Sequence, residues 1–358
     1  LFNFEGNEVL MGLKKNIKVI KSLDELNEFI SASPRKVILI THINPDGDAI
    51  GSALGLQLSL EKAGHTCTVV TPGDYPGFLK WLPGAASIII LPGNENKVAS
   101  MIHSAALIFF LDFNDIGRMR EIKEPVSQSS AFKILIDHHP DPVVKADFML
   151  SETNVSSTAE LVYRFIMQSS LRETMDRDIA TCLFAGIMTD TGCFSYNASL
   201  PETYKIVADL LRYGIDKDRI FYRIYDNFSY DRMRLLGFCL NERMEYFPAY
   251  RTALIRLNRE DQKKYNFQIG DSEGFVNFPL SIKGVRFSAF FIEKEDHVKV
   301  SFRSKGNFPV NAFSAMHFNG GGHRNAAGGE THESLETALG KFRELLPRYR
   351  DELNDYEE

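Results

Sequence analysis

The stretch KVILITHINPDGDAIGSALGLQLSLEKAGHTCTVV, residues 36–70, decides the fold. Lys36–Thr41 is a short β-branched apolar run without alternation, the pattern of a strand covered on both faces. The loop His42–Asp48 follows. Ala49–Ala63 then repeats apolar residues at helical spacing until Gly64 stops it. Thr66–Val70 has the pattern of a second strand, and the three pieces make one βαβ unit. Leu107–Phe113 (LIFFLDF) and Phe132–Asp137 (FKILID) repeat the buried-strand pattern, and the spacing predicts helices over Thr158–Gln168 and Arg177–Met188. Residues 17–197 are therefore predicted to form a doubly wound α/β domain with a mainly parallel sheet.

Beyond that point the texture changes. Residues 200–242 are helical in pattern, charged, and free of β runs, which predicts a helical linker over 198–245. Thr252–Leu257 has a strand pattern, and Val285–Ile292 and Val298–Arg303 that of a hairpin. A helix from about Asn311, a glycine cluster and the amphipathic stretch Ser334–Leu346 complete a smaller α+β domain over 246–347. The acidic tail Asp351–Glu358 is expected to be frayed and solvated.

A chain of 358 residues suits about two domains at roughly 100–200 residues each. Its 44% hydrophobic and 25% charged residues exclude disordered and fibrous classes. Lys+Arg 41 against Asp+Glu 47 gives a net charge of −6, which excludes a globally basic, nucleic-acid-coating surface but leaves room for a local basic pocket. The four cysteines, at 67, 182, 193 and 239, form no CxxC, so free thiols and a cytoplasmic location are expected. No apolar run approaches the roughly 20 residues that span a bilayer, so no membrane partner is expected. The chain opens on Leu without a charged segment leading into an apolar one, so no signal peptide is expected, and residues 1–16 are left out of the fold reading.

Four motifs place acidic and imidazole side chains just past an apolar strand or helix. They are THINPDGDAIGS with His42, Asp46 and Asp48; LDFND with Asp112; LIDHHP with Asp137, His138 and His139; and MTDTGCF with Asp190. In an open parallel sheet, ligands bind beyond the carboxyl ends of the strands, so these loops are expected to converge. An aspartate after a strand is, taken singly, most often a cap or turn former, and a histidine pair on a loop is most often solvated. The joint occurrence reverses that reading. A mixed imidazole–carboxylate set without thiolate suits Mn²⁺ or a similar octahedral cation, with Mg²⁺ or Co²⁺ as substitutes, better than structural zinc. Five aspartates are too many for one ion, and two ions would form a clamp for phosphoryl chemistry. Pro45 and Gly47 fit a tight ligand loop. Gly51 and Ser52 are placed in the first turn of the following helix, where free N–H groups favour a phosphate.

In the second domain, Val298, Val300 and Phe302 point one way and Lys299, Ser301 and Arg303 the other. Arg303 therefore lies on an open sheet face, where a guanidinium can fork onto a phosphate. Gly320, Gly321 and Gly322 put free backbone beside His323, with Arg324 and Asn325 adjoining.

The four motifs, followed by SFRSKG at 301–306 and GGGHRNAAGG at 320–329, resemble the DHH phosphoesterase superfamily, subfamily 1, in which a DHH domain is joined to a DHH-associated substrate domain. The resemblance runs from about Val37 to Gly329 in the family's order and is strongest with the two-domain members that act as nanoRNA nuclease and 3′-phosphoadenosine 5′-phosphate phosphatase. It implies one Mn²⁺ on His42, Asp46 and Asp112, and a second on Asp48, Asp112, His138 and Asp190. It implies that His139 faces the scissile phosphate and that Asp137 orients the histidines, with Asp137 as a ligand the alternative. It makes Arg303 and His323 the expected substrate-phosphate contacts, with Gly320–Gly322, Ser301, Arg324 and Asn325 beside them; a plain solvated surface role for Arg324 stays open. The implied activity is hydrolysis of short RNA and of 3′-phosphoadenosine 5′-phosphate.

Some positions depart from the family pattern. Asn319 stands where a fourth glycine is common, and asparagine tolerates the left-handed region. Cys193 replaces a small hydroxyl residue and is taken as inert. Asp115 and Arg118 are read first as a local ion pair, with contact to substrate the alternative. Trp81 is placed on a surface loop. Three other readings stay open: a pyrophosphatase or exopolyphosphatase, a linear or cyclic dinucleotide phosphodiesterase, and a non-catalytic nucleotide-binding module. A homodimer is compatible with the sequence, which contains nothing that argues for it.

Overall fold

Both faces of the first sheet are apolar, and alternation along its strands shows how. In β1 (Lys36–Ile40), Val37 and Leu39 enter one core while Ile38 and Ile40 enter another. The computed structural model describes residues 22–355. Five further strands follow: β2 (Thr66–Thr71), β3 (Ile89–Ile90), β4 (Leu107–Leu111), β5 (Phe132–Asp137) and β6 (Phe148–Ser151). They pair in the order β3-β2-β1-β4-β5-β6, every pair parallel. Helices α1 (Leu23–Ser31), α2 (Gly47–Lys62), α5 (Thr158–Met167) and α6 (Arg177–Asp190) cover one face, and α3 (Glu95–Ser104) and α4 (Lys123–Gln128) the other. Each large apolar side chain so buried contributes about 1.5–3 kcal/mol. The doubly wound α/β reading is correct, and the sheet is wholly parallel. Of its expected span, residues 17–21 lie outside the described residues.

Two expectations at helix α2 are corrected. The helix starts at Gly47, with Asp46 as its cap: Asp46 Oδ1 accepts from the N–H groups of Asp48 and Ala49. Gly51 and Ser52 are thus inside the helix, their N–H groups within its bonding pattern, and they form no phosphate cradle. Gly51 has a different role. A side chain there would stand 2.5 Å from the Cys182 carbonyl and 2.9 Å from the Gly186 nitrogen, so its absence lets α2 and α6 cross backbone to backbone.

The stretch expected to be a linker divides between two cores. In α7 (Pro201–Arg212) and α8 (Lys217–Tyr225), Ile206, Leu210, Ile220 and Ile224 join the core of the first sheet. In α9 (Tyr230–Glu242), Leu235, Leu236 and Cys239 pack with Ile255, Phe275 and Phe290 of the second. That second sheet contains β7 (Met244–Phe247), β8 (Thr252–Leu257), β9 (Phe287–Glu293), β10 (Val298–Ser304), β11 (Gly321–His323) and β12 (Ala326–Thr331), in the order β11-β12-β10-β9-β8-β7. Only the β8–β9 pair is parallel. Phe287, Phe291, Phe302, Phe313 and Phe342 fill the side covered by α11 (Val310–His317) and α12 (Leu335–Leu345), where α10 is the short helix Arg259–Lys264. As expected, Val298, Val300 and Phe302 are buried, and Lys299, Ser301 and Arg303 face the other way.

The tail is corrected in part: Arg350–Asn354 is helical, Leu353 is buried, and the Asn354 amide donates to the Ala249 carbonyl. Residues 356–358 lie outside the described residues. Trp81 is half-buried, with the Arg223 guanidinium 4.9 Å above its ring. Among the described residues, no helix is long and apolar enough to cross a membrane.

Candidate active site

β1 is the pivot of the first sheet. The chain leaves it towards β2 on one side and returns as β4 on the other, so the crevice beyond the carboxyl ends of β1 and β4 is the topological switch point. His42 follows β1, and Asp112 follows β4. Asp112 ends its strand because its backbone turns into the left-handed region, φ 67°, a conformation that costs a non-glycine residue about 1–3 kcal/mol and clusters at functional sites. Its N–H donates to the Ile136 carbonyl at 3.2 Å, which ties this turn to β5.

The four motifs do converge. His42 Nε2 lies 3.6 Å from Asp112 Oδ2. His138 Nε2 lies 3.6 Å from Asp112 Oδ1, 3.6 Å from Asp190 Oδ2 and 3.9 Å from Asp48 Oδ2. Ligating atoms of His42, Asp46 and Asp112 fall within 4.8 Å of one another, as do those of Asp48, Asp112 and His138. Asp112 stands between the two groups. His139 Nδ1 pairs with Asp137 Oδ1 at 2.7 Å and lies 3.7 Å from Asp112 Oδ1.

So many acids in one dry pocket repel each other. Burial and Asp46 push Asp48 up to about 7, and burial and Asp48 drive Asp112 and Asp190 well above the carboxylate range. Burial lifts Asp137 to about 6. Asp46 runs the other way: burial raises it, but His42, the Ala49 amide and Arg118 together hold it below the usual value. Burial also pulls His42, His138 and His139 down to about 3, with Arg118 adding to the effect at His42 and His139 and His323 at His138. Carboxyls pushed up and imidazoles pushed down describe a dry pocket that disfavours the charged form of both, and the crowded acids disfavour their own ionisation further. Asp137 Oδ2 and His138 Nδ1 are buried there without a hydrogen-bond partner. The oxygen-rich donor set with neutral imidazoles fits divalent cations.

The second domain meets this pocket directly. The ring of His323 lies 4.6 Å from that of His139, nearly parallel, and 4.5 Å from that of His138. Arg303 is half-buried, and its charge acts on Asp190 and Asp46. Of the glycine run, expected to be free backbone, Gly321 and Gly322 lie in strand β11 paired to β12. Gly320 and Gly322 leave no room for a side chain, against Gly328 and Ala326 respectively, so their bareness serves the hairpin's own packing. Only Gly321 opens onto space. Asn319 takes φ 48°, as its residue type allows. Asn325 donates to Ser304 Oγ and the Gly306 carbonyl, and Arg324 to the Asn307 carbonyl, so both side chains brace the hairpin.

One group at the site escaped sequence reasoning, and a second was named by it with the wrong partner. Thr158 donates through Oγ1 to Asp112 Oδ1 at 2.9 Å, and its N–H and that of Ala159 donate to the two oxygens of Asp48 at 2.7 and 2.8 Å. The start of α5 thus holds two of the aspartates at once, and the one signal for it is the capping pattern Ser157-Thr158-Ala159-Glu160. The second is Arg118. The expected Asp115–Arg118 ion pair is not among those of the described residues. Asp115 Oδ1 accepts from the Gly117 N–H, and the charge of Arg118 acts on His42, Asp46 and His139.

Residues 36–187 match the DHH family, N-terminal domain, and residues 260–351 match the DHHA1 domain. A Streptococcus mutans protein named probable bifunctional oligoribonuclease and PAP phosphatase NrnA is 30% identical over 301 residues, 84% of this chain and 91% of that one. A Thermus thermophilus protein named bifunctional oligoribonuclease and PAP phosphatase NrnA is 30% identical over 330 residues, 90% of this chain and 93% of that one. The crystal structure of an exopolyphosphatase-related protein from Bacteroides fragilis superposes with a TM-score of 0.86 at 41% identity, covering 91% of this chain and 96% of that one.

Proposed function

We propose that this chain, which belongs to the DHH family and is a hydrolase of phosphoester bonds, cleaves short oligoribonucleotides to mononucleotides and converts 3′-phosphoadenosine 5′-phosphate to AMP. The observation that carries the reading is the meeting of His323 with His138 and His139, which brings the second domain, with the charge of Arg303, against the acidic pocket of the first. The names of the Streptococcus and Thermus relatives support the substrate class. The net charge of −6 agrees with short substrates, because long polyanions gain their affinity from many basic contacts. Free thiols at all four cysteines agree with a cytoplasmic enzyme.

Two Mn²⁺ ions fit the donor set, one on His42, Asp46 and Asp112 and one on Asp48, Asp112, His138 and Asp190. Bound there, they supply Lewis acidity towards a phosphoryl oxygen and make water a better nucleophile. The protein's own groups do the rest. Asp137 accepts a hydrogen bond from Nδ1–H of His139, which fixes the tautomer and turns Nε2 to the cleft. The negative charge of an arriving phosphate draws a proton onto that nitrogen, and His139 then donates to a non-bridging oxygen. Arg303 forks onto the phosphate that is not cleaved, with the Ser301 hydroxyl beside it on the same strand face. His323 closes over both from the second domain. Thr158 and Ala159 hold Asp112 and Asp48 in place throughout.

A panel tests this: purified protein with Mn²⁺ against labelled di- to pentaribonucleotides, 3′-phosphoadenosine 5′-phosphate, linear and cyclic dinucleotides, pyrophosphate and polyphosphate. Release of mononucleotides and of AMP is expected. Turnover confined to pyrophosphate or polyphosphate overturns the reading and favours the chemistry that the Bacteroides relative's name suggests.

A further inference from the structure

Three imidazoles meet where the two domains touch. His138 and His139 follow directly on β5, and His323 ends β11. Their ring centroids are 5.1 Å apart for His138–His139, 4.5 Å for His138–His323 and 4.6 Å for His139–His323. One ring nitrogen from each lies within 4.8 Å of the others. Nδ1 of His139 is engaged by Asp137, which leaves Nε2 to coordinate and supplies the carboxylate partner that zinc-bound histidines characteristically have. Nδ1 of His138 is buried and unpartnered.

This donor set differs in kind from the acidic pocket. Oxygen-rich sites suit Mg²⁺ and Mn²⁺, whereas a set of three imidazoles is the ligand class of Zn²⁺ and its late-transition neighbours. We propose that His138, His139 and His323 form an interdomain site for an imidazole-preferring cation, Zn²⁺ foremost, and that filling it ties the two domains together and keeps substrate out. The tie follows from the ligands' origins, because two come from one domain and one from the other. Opening the cleft then requires breaking a metal–nitrogen bond. The exclusion rests on the function proposed above, since the same His323 and His139 face the substrate phosphate in that reading. His138 is shared with Asp48, Asp112 and Asp190, so Zn²⁺ here also competes with the ions of the acidic pocket.

Metal-stripped protein and Co²⁺ as a spectroscopic stand-in for Zn²⁺ test the site without any substrate. Four-coordinate cobalt on three imidazoles absorbs strongly in the visible, and six-coordinate cobalt among carboxylates only faintly. Wild-type protein is expected to show the strong band, lost on adding Zn²⁺, together with a smaller radius of gyration by X-ray scattering when Zn²⁺ is bound. His323→Gln, checked for folding by circular dichroism, should lose the strong band and the compaction. Its Zn²⁺ affinity should fall by more than the roughly 10–100-fold that loss of an outer partner costs a metal site. Asp46→Asn should keep the strong band while weakening Mn²⁺ binding. A strong band that survives in His323→Gln, or wild-type protein that shows only the faint spectrum, overturns the proposal. In the second case the three rings are an aromatic stack and nothing more. None of these readouts depends on which phosphoester is cleaved.

Discussion

The hydroxyl of Thr158 donates to Asp112 Oδ1 across 2.9 Å, so the first residue of α5 grips the aspartate that ends β4. Replacing that oxygen tests how far the aspartate depends on being held. Thr158→Val keeps the shape and removes the donor. A hydrogen bond to a charged group contributes about 1.5–3 kcal/mol, so kcat/KM should fall about 10–100-fold in a protein that remains folded. Steady-state kinetics at saturating Mn²⁺ measure it, and an unchanged kcat/KM would falsify the orienting role.

Asp112 should separate activity from stability. Asp112→Gly and Asp112→Ala both remove the carboxylate between the two groups of ligands, and hydrolysis should drop about 10³-fold or more. They should differ in melting temperature. Glycine accepts the φ of 67° without strain, and alanine does not. In metal-free protein the glycine variant is expected to match or exceed the parent, with alanine about 1 kcal/mol below glycine. Near-normal turnover by either variant would show that Asp112 is not shared by two ions.

Cation affinity should rise with pH through about 7, and the rise need not stop there, because Asp112 and Asp190 are also held well above the carboxylate range. Asp48 is lifted to about 7, so below that pH it carries a proton that an arriving cation must displace. Each proton displaced weakens apparent affinity about tenfold per pH unit below 7. Calorimetry of Mn²⁺ binding in two buffers of different ionisation enthalpy counts the protons released. Uptake at pH 6, or an affinity flat from pH 6 to 8, contradicts a buried, protonated Asp48.

Gly51→Ala probes the crossing of α2 and α6. The new methyl would stand 2.5 Å from the backbone carbonyl of Cys182, so one of the two helices must shift. A loss of about 1–3 kcal/mol is expected, or about 2–4 °C in melting temperature for each kcal/mol in a domain of this size. Ala53→Gly, in the same helix, should cost only about 1 kcal/mol plus the lost methyl. A Gly51→Ala protein as stable as its parent would show that the helices separate freely.

Much of the first domain was legible because its strands are continuous apolar runs that end on charged residues, and such runs have one physical use. The convergence of His42, Asp46, Asp48, Asp112, His138 and Asp190 followed from that pattern and the sheet-edge rule. Other features were hidden for particular reasons. β3 is two residues long and β11 is made of Gly, Gly and His, which have no strand pattern to read. The start of α2 was misplaced by two residues because Asp46 serves as cap while also belonging to the ligand loop. The grip of Thr158 on Asp112 joins residues 46 positions apart, and no local spacing encodes it. The division of the presumed linker was invisible because α7 and α9 are both amphipathic, and pattern alone does not say which neighbour receives the apolar side.

The left-handed turn at Asp112 also limits how this chain can drift. One nucleotide change from an aspartate codon reaches Asn, Gly, His, Tyr, Ala, Val or Glu. Asn and Gly adopt that turn cheaply, but neither brings the charge. Glu brings the charge on a longer arm and resists the turn. Every single-step neighbour therefore gives up the backbone or the chemistry, which leaves the gene at a dead end at this codon.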